Sequence, residues 1–165
     1  MNRIPVSRRI VAVVGWHNSG KSTFIVRLLG AAKARGLRVG VIKHTRGEFV
    51  MDREGTDTWR FREAGADLVA ISGPRAFAVY EALLEEESLE RVLARLPKTL
   101  DFIILEGYKG ADVPKIEVWR QEVGGPRIAS QGDLIALVSD SPGSSDEHLE
   151  VGFDGAEQVL KRIMG

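Results

Sequence analysis

The stretch that decides the fold is Ile10–Thr23, IVAVVGWHNSGKST. Its first five residues, 10–14, are apolar and mostly β-branched, which is typical of a strand buried in a parallel sheet. Gly15 and Gly20 then bracket four variable residues, and Lys21-Ser22 follow directly. This is the phosphate-binding pattern G-x-x-x-x-G-K-[ST], so the stretch predicts a nucleoside triphosphate site between a strand and a helix.

The chemistry of phosphate binding explains the residue types in this loop. Glycines let successive backbone N–H groups point at phosphate oxygens, and the positive end of the following helix favours the same anion. We expect Lys21 to reach the terminal phosphates and the Ser22 hydroxyl to join a Mg²⁺ shell. The remaining candidate nucleotide contacts in the loop are Gly15, His17, Asn18, Ser19, Gly20 and Thr23. A glycine turn without a ligand is the alternative, and the amphipathic helix predicted after the motif argues against it.

The overall composition narrows the class of protein. With 165 residues, 44% hydrophobic and 28% charged, the chain suits one globular nucleotide-binding domain over 1–165. Lys+Arg and Asp+Glu are both 23, so the basic excess typical of nucleic-acid binders is missing. The sequence has no cysteine, no apolar run of about 20 residues and no signal-peptide core in its first nine residues. We therefore expect a cytoplasmic protein with neither nucleic acid nor membrane as a partner.

The rest of the chain predicts an α/β fold with a mostly parallel sheet, flanking helices and an antiparallel edge hairpin. Asp57 or Thr58 is the expected N-cap of the second helix, and Asp154 and Glu157 have the spacing of a capping box at the last helix. The expected helices are Ser22–Arg35, Trp59–Ala64, Glu81–Leu96 and Asp154–Met164, and the expected later strands are Arg38–Lys43, Leu68–Ser72, Ala76–Tyr80, Asp101–Leu105, Lys115–Trp119 and Leu134–Ser139.

Two further sets of side chains are expected at the carboxyl ends of strands, where open α/β sheets bind ligands. Lys43 and His44 begin a polar, glycine-punctuated stretch and can bind an anion, and Asp52 in the same stretch can hold Mg²⁺ directly or through water. A solvated loop is the alternative for this stretch. Glu106 follows a strongly apolar strand, where a Mg²⁺- or water-binding carboxylate is expected. A capping or ion-pairing glutamate is the alternative there.

Several separate stretches resemble the MobB family of molybdopterin-guanine dinucleotide biosynthesis. They occur in the family's order and span nearly the whole chain. The I-K-H-T and L-E-G-Y-K segments carry the specificity, because the phosphate-binding pattern by itself is generic. The matching stretches are G-x-x-x-x-G-K-S-T at Gly15–Thr23, I-K-H-T at Ile42–Thr45, D-x-x-G-x-D-[ST] at Asp52–Thr58, R-E-A-G-A at Arg62–Ala66, D-x-I-I-L-E-G-Y-K at Asp101–Lys109, P-K-I-E-V at Pro114–Val118 and L-I-A-L-V-S-D at Leu134–Asp140.

The resemblance implies a P-loop NTPase-like fold, related to small-molecule ligases and metal-insertion GTPases, and a GTP-binding homodimer that is at most a slow Mg²⁺-dependent GTPase. It also implies an adaptor that assists MobA, the nucleotidyltransferase that attaches GMP to molybdopterin. Carried over to this chain, Asp52 and Glu106 would lie near Mg²⁺ and act in hydrolysis, and Lys43 and His44 would face an anion.

Guanine selectivity is expected at Asp140, from its position after a late strand and from the resemblance. A carboxylate accepts hydrogen bonds only, and guanine offers two adjacent donors, N1–H and the N2 amine. The alternative is that Asp140 caps the turn before Pro142 through its own backbone.

The sequence departs from the family at two places. The family often has two histidines after I-K-H-T, where this chain has Arg46 and Gly47, so histidine chemistry in this loop is in doubt. The family's Gly-Lys-Asp-Ser is here Gly55–Thr58, with one positive charge fewer. A second function stays open, a P-loop small-molecule kinase or ligase, for which Arg60, Arg62 and Arg75 could close over a transferring phosphate.

Overall fold

Strands and helices alternate along the part of the chain that the computed structural model describes, residues 9–130 and 132–165. These residues form two compact units, one comprising residues 9–44 and 95–165 and the other Thr45–Ala94. The elements are β1 (Arg9–Val14), α1 (Lys21–Ala34), β2 (Val39–Lys43), α2 (Asp57–Glu63), β3 (Leu68–Ser72), β4 (Phe77–Glu81), α3 (Leu89–Ala94), β5 (Phe102–Glu106), β6 (Lys115–Trp119), β7 (Leu134–Ser139), β8 (Leu149–Val151) and α4 (Ala156–Met164).

The first unit contains a six-stranded parallel sheet in the order β2-β5-β1-β6-β7-β8. Helix α1 joins the parallel strands β1 and β2, but β5 lies between them, so the two are not neighbours. Because every strand runs in the same direction, the carboxyl ends of all six lie along one edge of the sheet. The loop after β1 therefore lies between the ends of β5 and β6.

The core of this unit lies where α1 and α4 pack beside each other and against the sheet. Phe24 and Leu28, four residues apart, form a fully buried stripe on α1, whereas the apolar Val26 between them is 67% exposed. Leu160 on α4 and Ile104 on β5 are also fully buried within the same cluster. Each such side chain contributes roughly 1.5–3 kcal/mol relative to exposure.

The prediction for the end of the chain was partly wrong. Helix α4 starts at Ala156, and its N-cap is Gly155, which makes no side-chain capping bond, so the capping box of Asp154 and Glu157 does not form. The three-residue strand β8 was not predicted, because so short a run carries no readable periodicity.

The second unit contains β3 and β4, which pair antiparallel from Leu68↔Glu81 to Ser72↔Phe77. The antiparallel pairing is confirmed, but the pair forms a two-stranded sheet of its own and not an edge of the six-stranded sheet. Helix α2 is capped by Thr56, whose Oγ1 accepts from the backbone N–H of Trp59 at 3.3 Å, and not by Asp57 or Thr58.

The long helix predicted over Glu81–Leu96 is wrong. Glu81 is the last residue of β4, and helix α3 covers only Leu89–Ala94. Pairing with Leu68 holds Glu81 in extended conformation. The helix begins after Ser88, whose Oγ accepts from the backbone N–H of Arg91 at 3.4 Å.

Candidate nucleotide-binding site

The phosphate loop, residues 15–21, has a backbone that requires glycine at two positions. A Cβ on Gly15 would lie 2.4 Å from the carbonyl oxygen of Val118, and a Cβ on Gly20 would lie 2.8 Å from the Phe153 ring. Gly20 also has φ +95° and caps α1. These close approaches give the physical reason for both glycines of the sequence pattern, since any side chain would displace the loop from its neighbours.

Lys21 crosses the phosphate loop. Its Nζ donates to the carbonyl oxygens of Gly15 at 3.1 Å and Trp16 at 2.7 Å. The pKa of Lys21 lies below the ordinary lysine value because of partial burial; the charge of Glu106 opposes this effect, and Lys109 and Lys43 add to it. A group of lysines so close together makes the loop attractive to an anion, which would stabilise the charged form of Lys21.

A hydroxyl and a carboxylate meet beside the phosphate loop. Ser22, on the first turn of α1, donates its Oγ hydrogen to Oε1 of Glu106 at 3.2 Å, so two residues proposed for Mg²⁺ lie together. Both are hard oxygen donors of the type that Mg²⁺ takes in small number while keeping several waters. The glycine cradle, Lys21 and this pair together fit a magnesium–triphosphate group.

The two segments that made the family resemblance specific lie side by side. Lys43 is in register with Glu106, and the backbone N–H of His44 donates to the Glu106 carbonyl oxygen at 3.0 Å. The His44 ring packs against the Tyr108 ring, with centroids 4.8 Å apart. Tyr108 has φ +47°, which is uncommon for an aromatic residue and stores backbone strain at this point of the site.

Four remaining candidates lie on or beside the phosphate loop with different exposure. His17 and Asn18 are exposed at its tip, and Asn18 has φ +61°. Ser19 is buried, and its Oγ has no hydrogen-bond partner among the described residues. Thr23 is exposed on the first turn of α1.

Asp52 belongs to the second unit. Its Oδ1 accepts from the Thr56 hydroxyl at 3.0 Å and from the backbone N–H of Arg53 at 2.8 Å. Hydrogen bonding from Thr58, and then from Thr56 and Arg53, holds the pKa of Asp52 below its usual value. Within its unit the carboxylate thus stays ionised and helps to order the turn before α2. A cavity of about 160 Å³ in this unit is lined by Asp52 and Arg62 and by mostly apolar residues of β3 and β4.

Asp140 connects two loops. Its Oδ1 accepts from the backbone N–H of Gln121 at 3.3 Å, which ties the end of β7 to the end of β6. The turn that follows is capped by Ser139, whose Oγ accepts from the N–H of Ser141 at 3.0 Å. Asp140 Oδ1 also accepts from the Ser139 hydroxyl at 3.5 Å, so its carboxylate contacts both its own turn and the loop after β6.

Sequence reasoning missed the flanking loop, residues 120–130, which packs on the phosphate loop. Trp16 Nε1 donates to the carbonyl oxygen of Pro126 at 2.8 Å, and its indole covers Gly125. Glu117, fully buried on β6, holds the loop from the other side, accepting from the N–H groups of Ile128 at 2.8 Å and Ala129 at 3.3 Å. A glutamate inside the apolar strand P-K-I-E-V was the available signal, because a buried charge needs partners.

Two negative findings concern the described residues alone. Within residues 9–130 and 132–165, no three His, Cys, Asp or Glu side chains gather in a way that could hold a metal ion. In the same part of the chain, every helix is too short or too polar to cross a membrane.

Comparison with known proteins agrees with this geometry. The family model "Molybdopterin guanine dinucleotide synthesis protein B" (MobB) matches residues 10–140. The molybdopterin-guanine dinucleotide biosynthesis adapter protein of Haemophilus influenzae is 32% identical over 149 residues, covering 90% of this chain and 82% of that protein. The crystal structure of Bacillus subtilis MobB superposes with a TM-score of 0.71 at 29% identity, covering 93% of this chain and 97% of that one.

A kinase is also among the similar proteins. A tetraacyldisaccharide 4'-kinase of Pseudomonas aeruginosa is 32% identical over 133 residues, but the match covers 66% of this chain and only 38% of the kinase. The matches along most of both chains are to the adapter proteins and to MobB. This chain, with its P-loop fold and its paired I-K-H-T and L-E-G-Y-K segments, belongs to the MobB family.

Proposed function

We propose that this protein is a GTP-binding adaptor of molybdopterin-guanine dinucleotide biosynthesis. The observation that carries the nucleotide part is the phosphate loop with Lys21 across it and the Ser22–Glu106 pair beside it. Family membership supports the adaptor part, since the similar full-length relatives are named as adapter proteins of this synthesis. The kinase alternative has no such support along the whole chain.

In this proposal the residues act together on Mg²⁺-GTP within one nucleotide-binding domain. The backbone of Gly15, residues 17–20 and Thr23 holds the phosphates. Lys21 and Lys43 neutralise the terminal phosphates, and His44 faces the same anion. Ser22 and Glu106 approach Mg²⁺, with Glu106 supporting at most slow hydrolysis, and the same two roles are proposed for Asp52 from the family resemblance alone. Asp140 reads the guanine base.

The proposed partners follow from the adaptor role. The protein would work in the cytoplasm beside a MobA-type nucleotidyltransferase that attaches GMP to molybdopterin. We also propose a homodimer, in which the free edges of the β3–β4 pair meet a second copy. Phe77 and Leu68, exposed by 69% and 54% on this small sheet, supply apolar surface for such a contact. Light scattering at high concentration should return the dimer mass, and a monomer mass would contradict this part.

The decisive experiment is a titration with GTP, ATP and Mg²⁺ of the wild-type protein and of Lys21→Ala. We expect selective, Mg²⁺-dependent GTP binding by the wild type without any added acceptor. Losing a charged hydrogen-bond donor to phosphate should weaken it about 10- to 100-fold in Lys21→Ala. Lys33→Ala is the matched control, because Lys33 is exposed in the last turn of the same helix. Unchanged GTP affinity in a folded Lys21→Ala protein would remove the nucleotide-binding proposal.

A further inference from the structure

Arg120 is the first residue after β6, and its guanidinium group lies against the phosphate loop. Its Nη2 is 3.3 Å from the position that a Cβ on Gly20 would occupy. Its Cζ lies 4.5 Å from the centroid of the Phe153 ring, which itself packs on Gly20. Stacking on an aromatic face fixes the orientation of a guanidinium fork before any ligand arrives.

The Arg120 side chain has donor capacity that the protein leaves unused. Its Nη1 pairs with Oε1 of Glu122 at 3.3 Å, but Glu122 is largely exposed, so this contact contributes little. Its Nε is buried and has no acceptor within residues 9–130 and 132–165. A buried N–H without an acceptor is costly, and such groups in native proteins commonly serve a bound ligand or water.

The order of strands places Arg120 on the side of the phosphate loop opposite to Glu106. Glu106 and Lys43 end β5 and β2, on one side of β1, and mark the side of Mg²⁺ and the terminal phosphates. Arg120, Asp140 and Phe153 follow β6, β7 and β8, on the other side of β1. A nucleotide with its terminal phosphates beside Glu106 therefore extends its nucleoside toward Arg120.

We propose, on the basis of the nucleotide-binding function above, that Arg120 is a specificity-determining residue that donates to the carbonyl oxygen of the guanine base. Guanine presents O6 and N7 as adjacent acceptors, which suit a guanidinium fork. Adenine carries an amine at the equivalent position, and two donors would then face each other. Asp140 is tied to Gln121, the residue after Arg120, so an acidic and a basic group stand at the same end of the site for adjacent edges of one base.

The test measures the affinities of Arg120→Met and of the wild type for three ligands, GTP, ATP and inorganic tripolyphosphate. Methionine keeps the apolar contact with Phe153 and removes every donor. We expect GTP affinity to fall at least tenfold in Arg120→Met, while ATP falls less and tripolyphosphate stays within about twofold. Arg120→Lys should not restore GTP binding, because a lysine lacks the donor at the Nε position.

The controls separate this inference from the function on which it depends. Glu122→Gln removes the charge of the exposed partner of Arg120 and should leave all three affinities unchanged. Thermal unfolding checks that each variant is folded. Wild-type protein that binds neither GTP nor tripolyphosphate would refute the nucleotide-binding function itself. If the wild type binds both, three results for Arg120→Met would overturn the assignment of Arg120 alone. They are equal losses of affinity for GTP and tripolyphosphate, equal losses of affinity for GTP and ATP, and no loss of affinity for GTP.

Discussion

Replacing Glu117 by glutamine tests whether one buried carboxylate holds the flanking loop against the phosphate loop. Three donors converge on this carboxylate: the N–H groups of Ile128 at 2.8 Å and Ala129 at 3.3 Å, and Nε of Arg127 at 3.1 Å. Glu117 is fully buried, whereas the Arg127 side chain is 40% exposed and can be hydrated. The substitution keeps the shape of the side chain and changes its charge and its hydrogen-bonding capacity.

The size of the effect follows from counting acceptors. Glutamine has one oxygen and one N–H₂ group, so in either orientation at least one of the three donors faces another donor. A buried donor without an acceptor costs about 1–3 kcal/mol, and the bonds that remain lose the extra strength of a charged acceptor. We therefore expect a loss of about 2–4 kcal/mol in the free energy of unfolding, which lowers Tm by about 5–12 °C in a chain of this size.

Denaturant unfolding measures the total effect, and amide hydrogen exchange shows its location. Exchange at Ile128 and Ala129 should accelerate more than exchange in β1, because these amides lose their acceptor directly. Glu122→Gln is the control, since its single exposed ion pair should change stability by less than about 0.5 kcal/mol. A loss below 1 kcal/mol in Glu117→Gln, or unchanged exchange at the two amides, would refute the idea that Glu117 anchors the loop.

Three other predictions concern single carboxylates. Glu106→Gln should slow GTP hydrolysis more than it weakens GTP binding, because the carboxylate beside Ser22 is proposed as a ligand of Mg²⁺; wild-type values of both would make Glu106 structural. Asp140→Asn should weaken binding of GTP and strengthen binding of xanthosine triphosphate, whose C2 carbonyl accepts from the new amide. Equal losses of affinity for the two nucleotides would show that Asp140 does not select guanine. The pKa of Asp133 is lowered by a hydrogen bond from the Ser130 hydroxyl and then by Lys115. The ionised carboxylate therefore stabilises the folded protein at pH values above its ordinary pKa of 3.8, and this stabilisation is lost as the pH falls through the lower pKa of the folded state. Asp133→Asn should accordingly be less stable than the wild type at pH 7, and the gap should shrink in acid; a gap that is the same at pH 7 and below pH 3 would argue against the linkage.

Much of the site could be predicted from the sequence because its parts are local. The phosphate loop, the strand before it and the helix after it lie within Ile10–Ala34, where the glycine spacing and the apolar periodicity are set by neighbouring residues. Glu106 ends β5 and the phosphate loop follows β1, so a parallel sheet places both at the same edge, but the 3.2 Å contact between Ser22 and Glu106 depends on the pairing of β5 with β1.

Local patterns misled where long-range pairing competes with them. The run from Glu81 has helical composition, yet pairing with β3 keeps Glu81 in a strand and delays the helix to Leu89. Asp154 has the spacing of a capping residue, but the N-cap of α4 is Gly155, which has no side chain to make a capping bond. At Glu81 the strand pairing outweighs a local preference worth about 1 kcal/mol or less.

The sequence by itself determined that this chain builds a phosphate loop on a parallel sheet, because glycine spacing, strand periodicity and a lysine at the helix start are properties of adjacent residues. Only the tertiary structure decided what surrounds that loop. The strand order inserts β5 between β1 and β2, and the contacts of Trp16 with Pro126 and of Arg120 with Phe153 join residues more than 30 positions apart. Such pairings depend on which strands become neighbours, a choice made by the packing of the whole core and not by any single segment.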